Sequence, residues 1–364
     1  MSLRGVAEPT HLEPATRYTG DVMQGVAVIS QLNVGDLEPG RKHRFFFQGI
    51  QMGTGQHWYV PIVVAKGIQA GKRICLIAGI HGDELNGVDA VQRTMASLDP
   101  ATMAGTVIAV YDLCRPAREL IQRGWPSTAK GHREVDLNRV WPGDEAGEDA
   151  PTRHVALVWN RLFRGNFDLA IDYHTQSIGG EYALFIFADY RNPEIQRIAE
   201  LFPVQLIKDD PGEPGSLETT LVQSGIPCMT VEIGGPRGFD AAKVAIAVEG
   251  SLNVLKHYGI IPGVCDRTSK EVGTFIGNAM ATVRATTGGY LQTLVDVNAA
   301  VTPGQTIAIQ RNAFGDVVAE YTAPVAGRVA TIVRDAIAEP GTRIMQILHS
   351  VDPGAGDHSG ALRK

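Results

Sequence analysis

Hydrophobic and polar positions along the chain change their period several times. Residues 1–40 are mixed and turn-rich, with one short apolar run at Val26–Leu32. Arg44–Gly49 and Tyr59–Ala65 cluster β-branched and aromatic residues on either side of Gly53-Thr54-Gly55, which predicts an antiparallel edge pair. Ile74–Ile80 is a continuous apolar run, the pattern of a strand buried on both faces. Beyond it Leu85, Val88, Val91, Met95 and Leu98 recur close to helical spacing, so Glu84–Leu98 predicts an amphipathic helix. Thr106–Leu113 again predicts a strand. Helices are then expected over Val155–Phe163, Pro193–Phe202, Leu217–Ser224 and Ala241–Tyr258, and strands over Phe167–Tyr173, Tyr182–Ala188 and Pro227–Ile233. Strands that alternate with helices predict an α/β fold, a three-layer αβα sandwich around a mixed, largely parallel sheet.

The pattern changes after Pro262. Residues 272–350 carry no helical period, many glycines and short valine-rich runs. Two segments resemble each other, each running Gly, strand, Pro-Gly turn, strand: one from Gly288 to Ile309, the other from Ala326 to Leu348. They predict a small pseudo-symmetric all-β sandwich over residues 270–352, similar to lipoyl and biotinyl carrier domains. A carrier presents a modifiable lysine at a hairpin tip, and Gln310–Ala319 contains none, so a structural or gating role is expected. The expected organisation is an N-terminal extension (1–40), a catalytic domain (41–265) and this C-terminal β domain.

Composition narrows the function classes. The 364 residues are 44 % hydrophobic and 20 % charged, as in an ordinary globular protein. A net charge of −6 argues against nucleic acid as a partner. No apolar stretch reaches the ~20 residues of a membrane span, and no basic-then-apolar leader opens the chain. The four cysteines form no CxxC pair, which suits a reducing compartment, and a cytoplasmic location is expected. Exposed edges of a mixed sheet are compatible with a homo-oligomer.

Candidate chemistry lies at the ends of the apolar runs. His81 and Glu84 follow Ile74–Ile80, flanked by Gly79 and Gly82. A three-residue offset in a first helical turn puts both side chains on one face, as metal ligands; the alternative is that Asp83 and Glu84 only favour a helix N-terminus and His81 is a loop residue. His174 ends the strand that carries Asp172 two residues earlier, on the same side. His154 is the competing histidine, expected at the surface at the start of a helix beside Arg153. Glu232 ends the strand Pro227–Val231 beside Gly234-Gly235, where a carboxylate needs either a task or a partner such as Arg237. Asn138 and Arg139 follow Asp136 in a loop. A guanidinium with an amide donor suits a substrate carboxylate, and Arg123 and Arg133 are further cations nearby.

Taken in order, Gly79-Ile80-His81-Gly82-Asp83-Glu84, Asp136-Leu137-Asn138-Arg139, Asp172-Tyr173-His174-Thr175 and Val231-Glu232-Ile233-Gly234-Gly235 resemble the succinylglutamate desuccinylase/aspartoacylase family of the zinc carboxypeptidase-like superfamily. The resemblance covers roughly residues 40–260 plus a C-terminal β domain. It implies one Zn2+ per chain on His81, Glu84 and His174, with Glu232 as catalytic acid/base. It also implies a small substrate whose free carboxylate is held by Asn138 and Arg139. The family's second arginine has its nearest counterpart in Arg133, at a spacing that does not match. The expected reaction is metal-dependent hydrolysis of an N-acyl amino acid. A carboxypeptidase acting on short peptides and a non-catalytic binding protein with a degenerate site are the competing readings.

Overall fold

A computed structural model describes residues 15–129, 131 and 133–352. Its strands in chain order are β1 Arg17–Met23, β2 Val26–Gln31, β3 Arg41–Gln51, β4 His57–Lys66, β5 Gln69–Ala78 and β6 Ala104–Val110. A short hairpin, β7 Trp125–Pro126 and β8 Glu134–Val135, precedes β9 Leu169–His174, β10 Gly180–Tyr182, β11 Leu184–Ala188, β12 Leu206–Asp209, β13 Cys228–Ile233 and β14 Phe275–Gly277. The helices are α1 Asn86–Ser97, α2 Arg115–Leu120, α3 Ala150–Val158, α4 Pro193–Glu200, α5 Leu217–Gln223, α6 Ala241–His257 and α7 Ser269–Val272.

One large sheet has the order β1-β2-β3-β4-β6-β5-β9-β13-β11-β12-β14. Its centre, β6-β5-β9-β13, is parallel. Antiparallel pairs enter on one side through β3-β4-β6 and on the other through β13-β11. Strand β5 illustrates why the sheet is covered on both faces. Ile74, Leu76 and Ala78 pack among Val88, Val91 and Met95 of α1, Ile195 of α4 and Val254 of α6. Cys75 and Ile77 face the other way, into Val155 and Val158 of α3 and Leu217 and Leu221 of α5. A strand with helices on both faces has no use for polar alternation, which is why Ile74–Ile80 is apolar throughout. The helix–sheet–helix layering expected of the pattern is therefore present. The four cysteines are free.

Eight further strands complete the chain: β15 Ala279–Arg284, β16 Gly289–Thr293, β17 Ala300–Val301, β18 Thr306–Arg311, β19 Val317–Thr322, β20 Gly327–Val333, β21 Ile337–Ala338 and β22 Arg343–His349. They form two sheets, β10-β20-β22-β15 with β17 beside β20, and β19-β18-β16-β21. Leu291, Ile307, Val329, Ile344 and Ile347 fill the space between them. The β18–β19 hairpin tip reads Asn312-Ala313-Phe314-Gly315-Asp316, without a lysine.

Strand pairing crosses the expected boundaries at two points. The segment before residue 41 is no separate extension where it is described, because β1 and β2 continue the large sheet; residues 1–14 lie outside the described residues. The division near 265–270 is crossed in both directions. β14 adds to the large sheet beside β12, while β10, from the middle of the chain, pairs with β20 of the second unit. Strand pairing is a long-range choice that local composition does not encode.

Candidate active site

Three neighbouring parallel strands, β5, β9 and β13, end side by side, where ligands gather in open α/β sheets. His174, the last residue of β9, and Glu232, the last but one of β13, are register partners. Beyond β5 the chain turns sharply through Gly79, at φ +78°, where a Cβ would lie 2.6 Å from the Asp112 Cα. At Gly82 a Cβ would meet the Ala117 backbone carbon at 2.1 Å, so no side chain fits there. Helix α1 begins at Asn86, so His81 and Glu84 sit in the loop before it rather than in a helical first turn. Tertiary contacts fix that loop. The Arg118 guanidinium donates to the carbonyls of Gly82 (2.5 Å) and Glu84 (3.2 Å), and Asn86 Nδ2 donates to the Ile233 carbonyl at 2.8 Å.

His81, Glu84 and His174 are buried together, with donor atoms all within 4.8 Å of one another. His81 Nδ1 lies 2.8 Å from Glu84 Oε1, His174 Nδ1 lies 3.0 Å from Glu84 Oε2, and the two Nδ1 atoms are 3.1 Å apart. Each imidazole turns its other nitrogen to a carboxylate: His81 Nε2 to Asp136 at 2.9 Å, His174 Nε2 to Asp172 at 2.9 Å. A carboxylate that accepts from Nε2–H fixes that tautomer and leaves a lone pair on Nδ1, the usual support of a metal-ligating histidine. Two such lone pairs at this separation repel unless a cation or proton lies between them. Donors bound tetrahedrally at ~2.0–2.1 Å stand about 3.3 Å apart, close to the spacing here. The residues present therefore fit a divalent metal, and two imidazoles with one carboxylate are the protein share of a catalytic zinc site.

The charges agree with this geometry. Burial works against ionisation of Glu84, but the His81 and His174 imidazoles hold its carboxyl far below the usual carboxylate range. Burial likewise disfavours a charge on His174, yet Asp172 and Glu84 push it well above the ordinary imidazole value. Asp136 is held low, against burial, by His81 and then Arg123. Arg123 ties the groups together. Its guanidinium donates to Glu84 Oε1 at 3.0 Å, Ser177 Oγ at 2.8 Å and Asp136 Oδ2 at 3.2 Å.

Glu232 is 8 % exposed, and its Oε2 has no partner among the described residues. Burial drives its carboxyl well above the ordinary value; His174 and Arg123 pull the other way, and Glu84 and Asp172 add to the rise. The ion pair with Arg237 is not formed, since that guanidinium donates instead to the Ile121 carbonyl at 2.9 Å.

These groups line a cavity of about 400 Å3, together with Tyr182, Glu218, Asn138, Arg139 and Arg343. Asn138 Oδ1 accepts from Leu217 N at 2.8 Å, so the amide anchors the start of α5. Arg139 pairs with Glu213 at 2.9 Å and donates to the Asn138 carbonyl at 2.8 Å. Arg133 is exposed and does not line the cavity. Arg123, equally a loop arginine in the sequence, is embedded in the cluster. Glu218 was invisible to the sequence reading. It accepts from Thr230 Oγ1 at 2.7 Å, and burial pushes its carboxyl up to about 8. His154 corrects another expectation: it is fully buried, far from any carboxylate partner. Its Nε2 donates to the Leu113 carbonyl at 3.1 Å, Nδ1 accepts from Ile50 N at 3.3 Å, and burial lowers its pKa to about 4.

Comparisons with known proteins follow the same line. The sequence model for the succinylglutamate desuccinylase/aspartoacylase catalytic domain matches residues 70–258, which is 189 of the 364 positions. The N-alpha-acetyl-L-2,4-diaminobutyric acid deacetylase of Halomonas elongata is 27 % identical over 259 residues, covering 68 % of this chain and 73 % of that protein. The succinylglutamate desuccinylase of Pseudomonas paraeruginosa is 27 % identical over 206 residues, 51 % of this chain and 59 % of that protein. Among solved structures, the product-bound ectoine utilization protein EutE (DoeB) of Ruegeria pomeroyi has the same fold. It superposes with a TM-score of 0.75 at 22 % identity over 86 % of this chain and 97 % of that one. A succinylglutamate desuccinylase/aspartoacylase from Rhodobacter sphaeroides gives 0.73 at 21 % identity, over 87 % and 98 %.

Proposed function

The chain belongs to the succinylglutamate desuccinylase/aspartoacylase family, a family of deacylases, and we propose that it hydrolyses the amide of an N-acyl amino acid with the help of one zinc ion on His81, Glu84 and His174. The observation that carries this reading is the pairing of two carboxylate-backed imidazoles with the buried, unpartnered Glu232 next to His174.

His81, Glu84 and His174 would hold the metal, which when bound would act as a Lewis acid and make water at the site more acidic. Glu232 takes a proton from the attacking water and passes it to the nitrogen of the departing amine. A C–O bond forms, the amide C–N bond breaks, and the products are a carboxylate and a free amino acid. Desolvation suits Glu232 to this task, because a carboxyl raised by burial holds a proton more firmly than an exposed one. Arg123 is the fixed cation beside the reacting carbonyl and stabilises the negative charge that develops on its oxygen. Arg139 meets the substrate carboxylate at the cavity mouth. Its pairing with Glu213 is exposed and therefore exchanged at small cost.

A second lining residue, at the start of α5, refines the substrate. Glu218 is buried and largely protonated near neutral pH, a group that gains most from an ammonium placed against it. An N-acyl amino acid with a second amino group, such as the N-acetylated diamino acid in the Halomonas relative's name, suits both groups.

Amine release from N-acetyl, N-succinyl and N-formyl amino acids and from dipeptides, with zinc-loaded protein and Glu232→Gln as blank, tests the reading. Activity on an N-acyl class that is absent from the blank is expected, with N-acetylated diamino acids foremost. Metal-dependent cleavage confined to dipeptides would move the chain to the carboxypeptidase reading, and equal activity in the blank would remove Glu232 from its role.

A further inference from the structure

Three arginines of the catalytic unit are candidates for the substrate's carboxylate, and Arg139 alone can turn to it, by leaving an exposed pair. Arg123 is committed to Glu84, Asp136 and Ser177. Arg139 is paired with Glu213. Arg133 is exposed and outside the cavity lining. A fourth guanidinium comes from the other unit. Arg343 opens β22 of the second domain, lines the catalytic cavity, and has no hydrogen-bond or ion-pair partner among the described residues.

Its position carries a local penalty. Arg343 lies directly across from Arg284 of β15, a like-charge pair of the kind that weakens a sheet, and Arg284 donates instead to the Gly341 carbonyl at 2.9 Å. The fold returns nothing for that penalty within the β domain. The domain is also held firmly against the site. β10 pairs with β20, Gln176 Nε2 donates to Thr331 Oγ1 at 3.0 Å, and Arg334 N donates to the Gly179 carbonyl at 2.7 Å. Gln176 and Ser177, which follow the ligand His174 by two and three residues, line the cavity beside Arg343. The cation is thus placed at a fixed distance from the ligand cluster rather than on a loose appendage.

We propose that Arg343, carried by the C-terminal β domain, is the uncommitted cation that takes the carboxylate of the substrate, closing with Arg139 a two-domain clamp on one anionic group. The proposal rests on the N-acyl amino acid reading for the identity of that group. It makes the second domain a determinant of specificity: a substrate binds across the domain boundary, its scissile amide toward Glu232 and its carboxylate toward β22. A planar guanidinium and a carboxylate bond bidentately, a geometry that an amide or ester in the same place does not reproduce.

Calorimetric binding of N-acetyl-L-2,4-diaminobutyrate and of its carboxamide to zinc-loaded Glu232→Gln protein separates this proposal from the reading it rests on. The acid is expected to bind about 10- to 100-fold more tightly than the carboxamide, the worth of a charge-assisted pair. Adding Arg343→Gln should remove most of that preference, and Arg343→Lys should restore part of it. Arg343 is exposed and faces Arg284, so neither variant should melt below the parent, and Arg343→Gln should melt slightly above it. If Arg343→Gln keeps the full preference, or the parent shows none, the proposal is overturned; if Arg139→Gln alone abolishes it, Arg139 is the anchor and the proposal is likewise overturned. Wild-type protein that binds with the expected preference yet releases no amine sinks the deacylase reading and leaves Arg343 in place.

Discussion

Two buried histidine environments of this chain behave in opposite ways. His174 and His154 are both removed from solvent, and burial alone pushes each toward the neutral form. Around His174 the neighbours are Asp172 and Glu84, which reverse that effect and raise its pKa. Around His154 they are backbone groups and the Trp125 ring, 5.1 Å away, which do not, and it titrates at about 4. Burial therefore says little about a histidine's role. The carboxylate on the far nitrogen separates a ligand from a structural residue, because it fixes the tautomer and turns the other nitrogen's lone pair inward.

The largest effects should come from breaking the ligand side of the comparison. His81→Ala should lose stoichiometric zinc and all measurable turnover; elemental analysis that still finds one zinc per chain would remove His81 from the ligand set. Glu232→Gln should keep zinc while turnover falls by about 10^3-fold, within the range for loss of a general base.

The structural side breaks next. Because His154 has a folded pKa of about 4 against ~6.5 unfolded, the unfolded chain takes up a proton first as the pH falls. Stability associated with this residue is complete above pH ~6.5 and is lost progressively down to pH ~4, in total about 3 kcal/mol. His154→Gln should lack that share of the loss, so the difference in unfolding free energy between variant and wild type should narrow as the pH drops. A pH-independent difference would contradict the assignment of a neutral His154.

Smaller effects sharpen the rule itself. Asp172→Asn and Asp136→Asn leave the ligands in place and change only what their far nitrogens meet. Zinc affinity, measured by competition with a chelator, should fall about 10- to 100-fold in each. Unchanged affinity in both would mean that the carboxylates do not define the site. Smallest of all, Arg133→Ala should leave KM and kcat within about twofold, since an exposed charge outside the cavity contributes little. A tenfold rise in KM would return Arg133 to the substrate.

Much of this was legible in the chain. Apolar runs that lack alternation announced strands covered on both faces, and β5, β9 and β13 fall where Ile74–Ile80, Phe167–Tyr173 and Pro227–Ile233 predict them. His81, Glu84, His174 and Glu232 stood out because each polar group interrupts or ends such a run, where it is costly without a purpose. His81 and Glu84 do not share a helical turn; they meet through a loop pinned by Arg118 and by glycines with no room for a side chain. Arg123 and Arg133 look alike in sequence, ten residues apart in one polar stretch, yet one is bonded to Glu84 and Asp136 and the other is exposed outside the cavity lining.

What the sequence determines by itself is whatever has a local period or a local cost: the strands, the helices, and polar residues set at the ends of buried runs. Which cation reaches the cavity was decided elsewhere, by strand pairings that bring β10 to β20 and so carry Arg343 to residues more than a hundred positions away. The surroundings of His154 were decided in the same way, by packing against β3 and the Trp125 ring. Such contacts depend on which distant surfaces bury each other, and neither period nor composition along the chain records that choice.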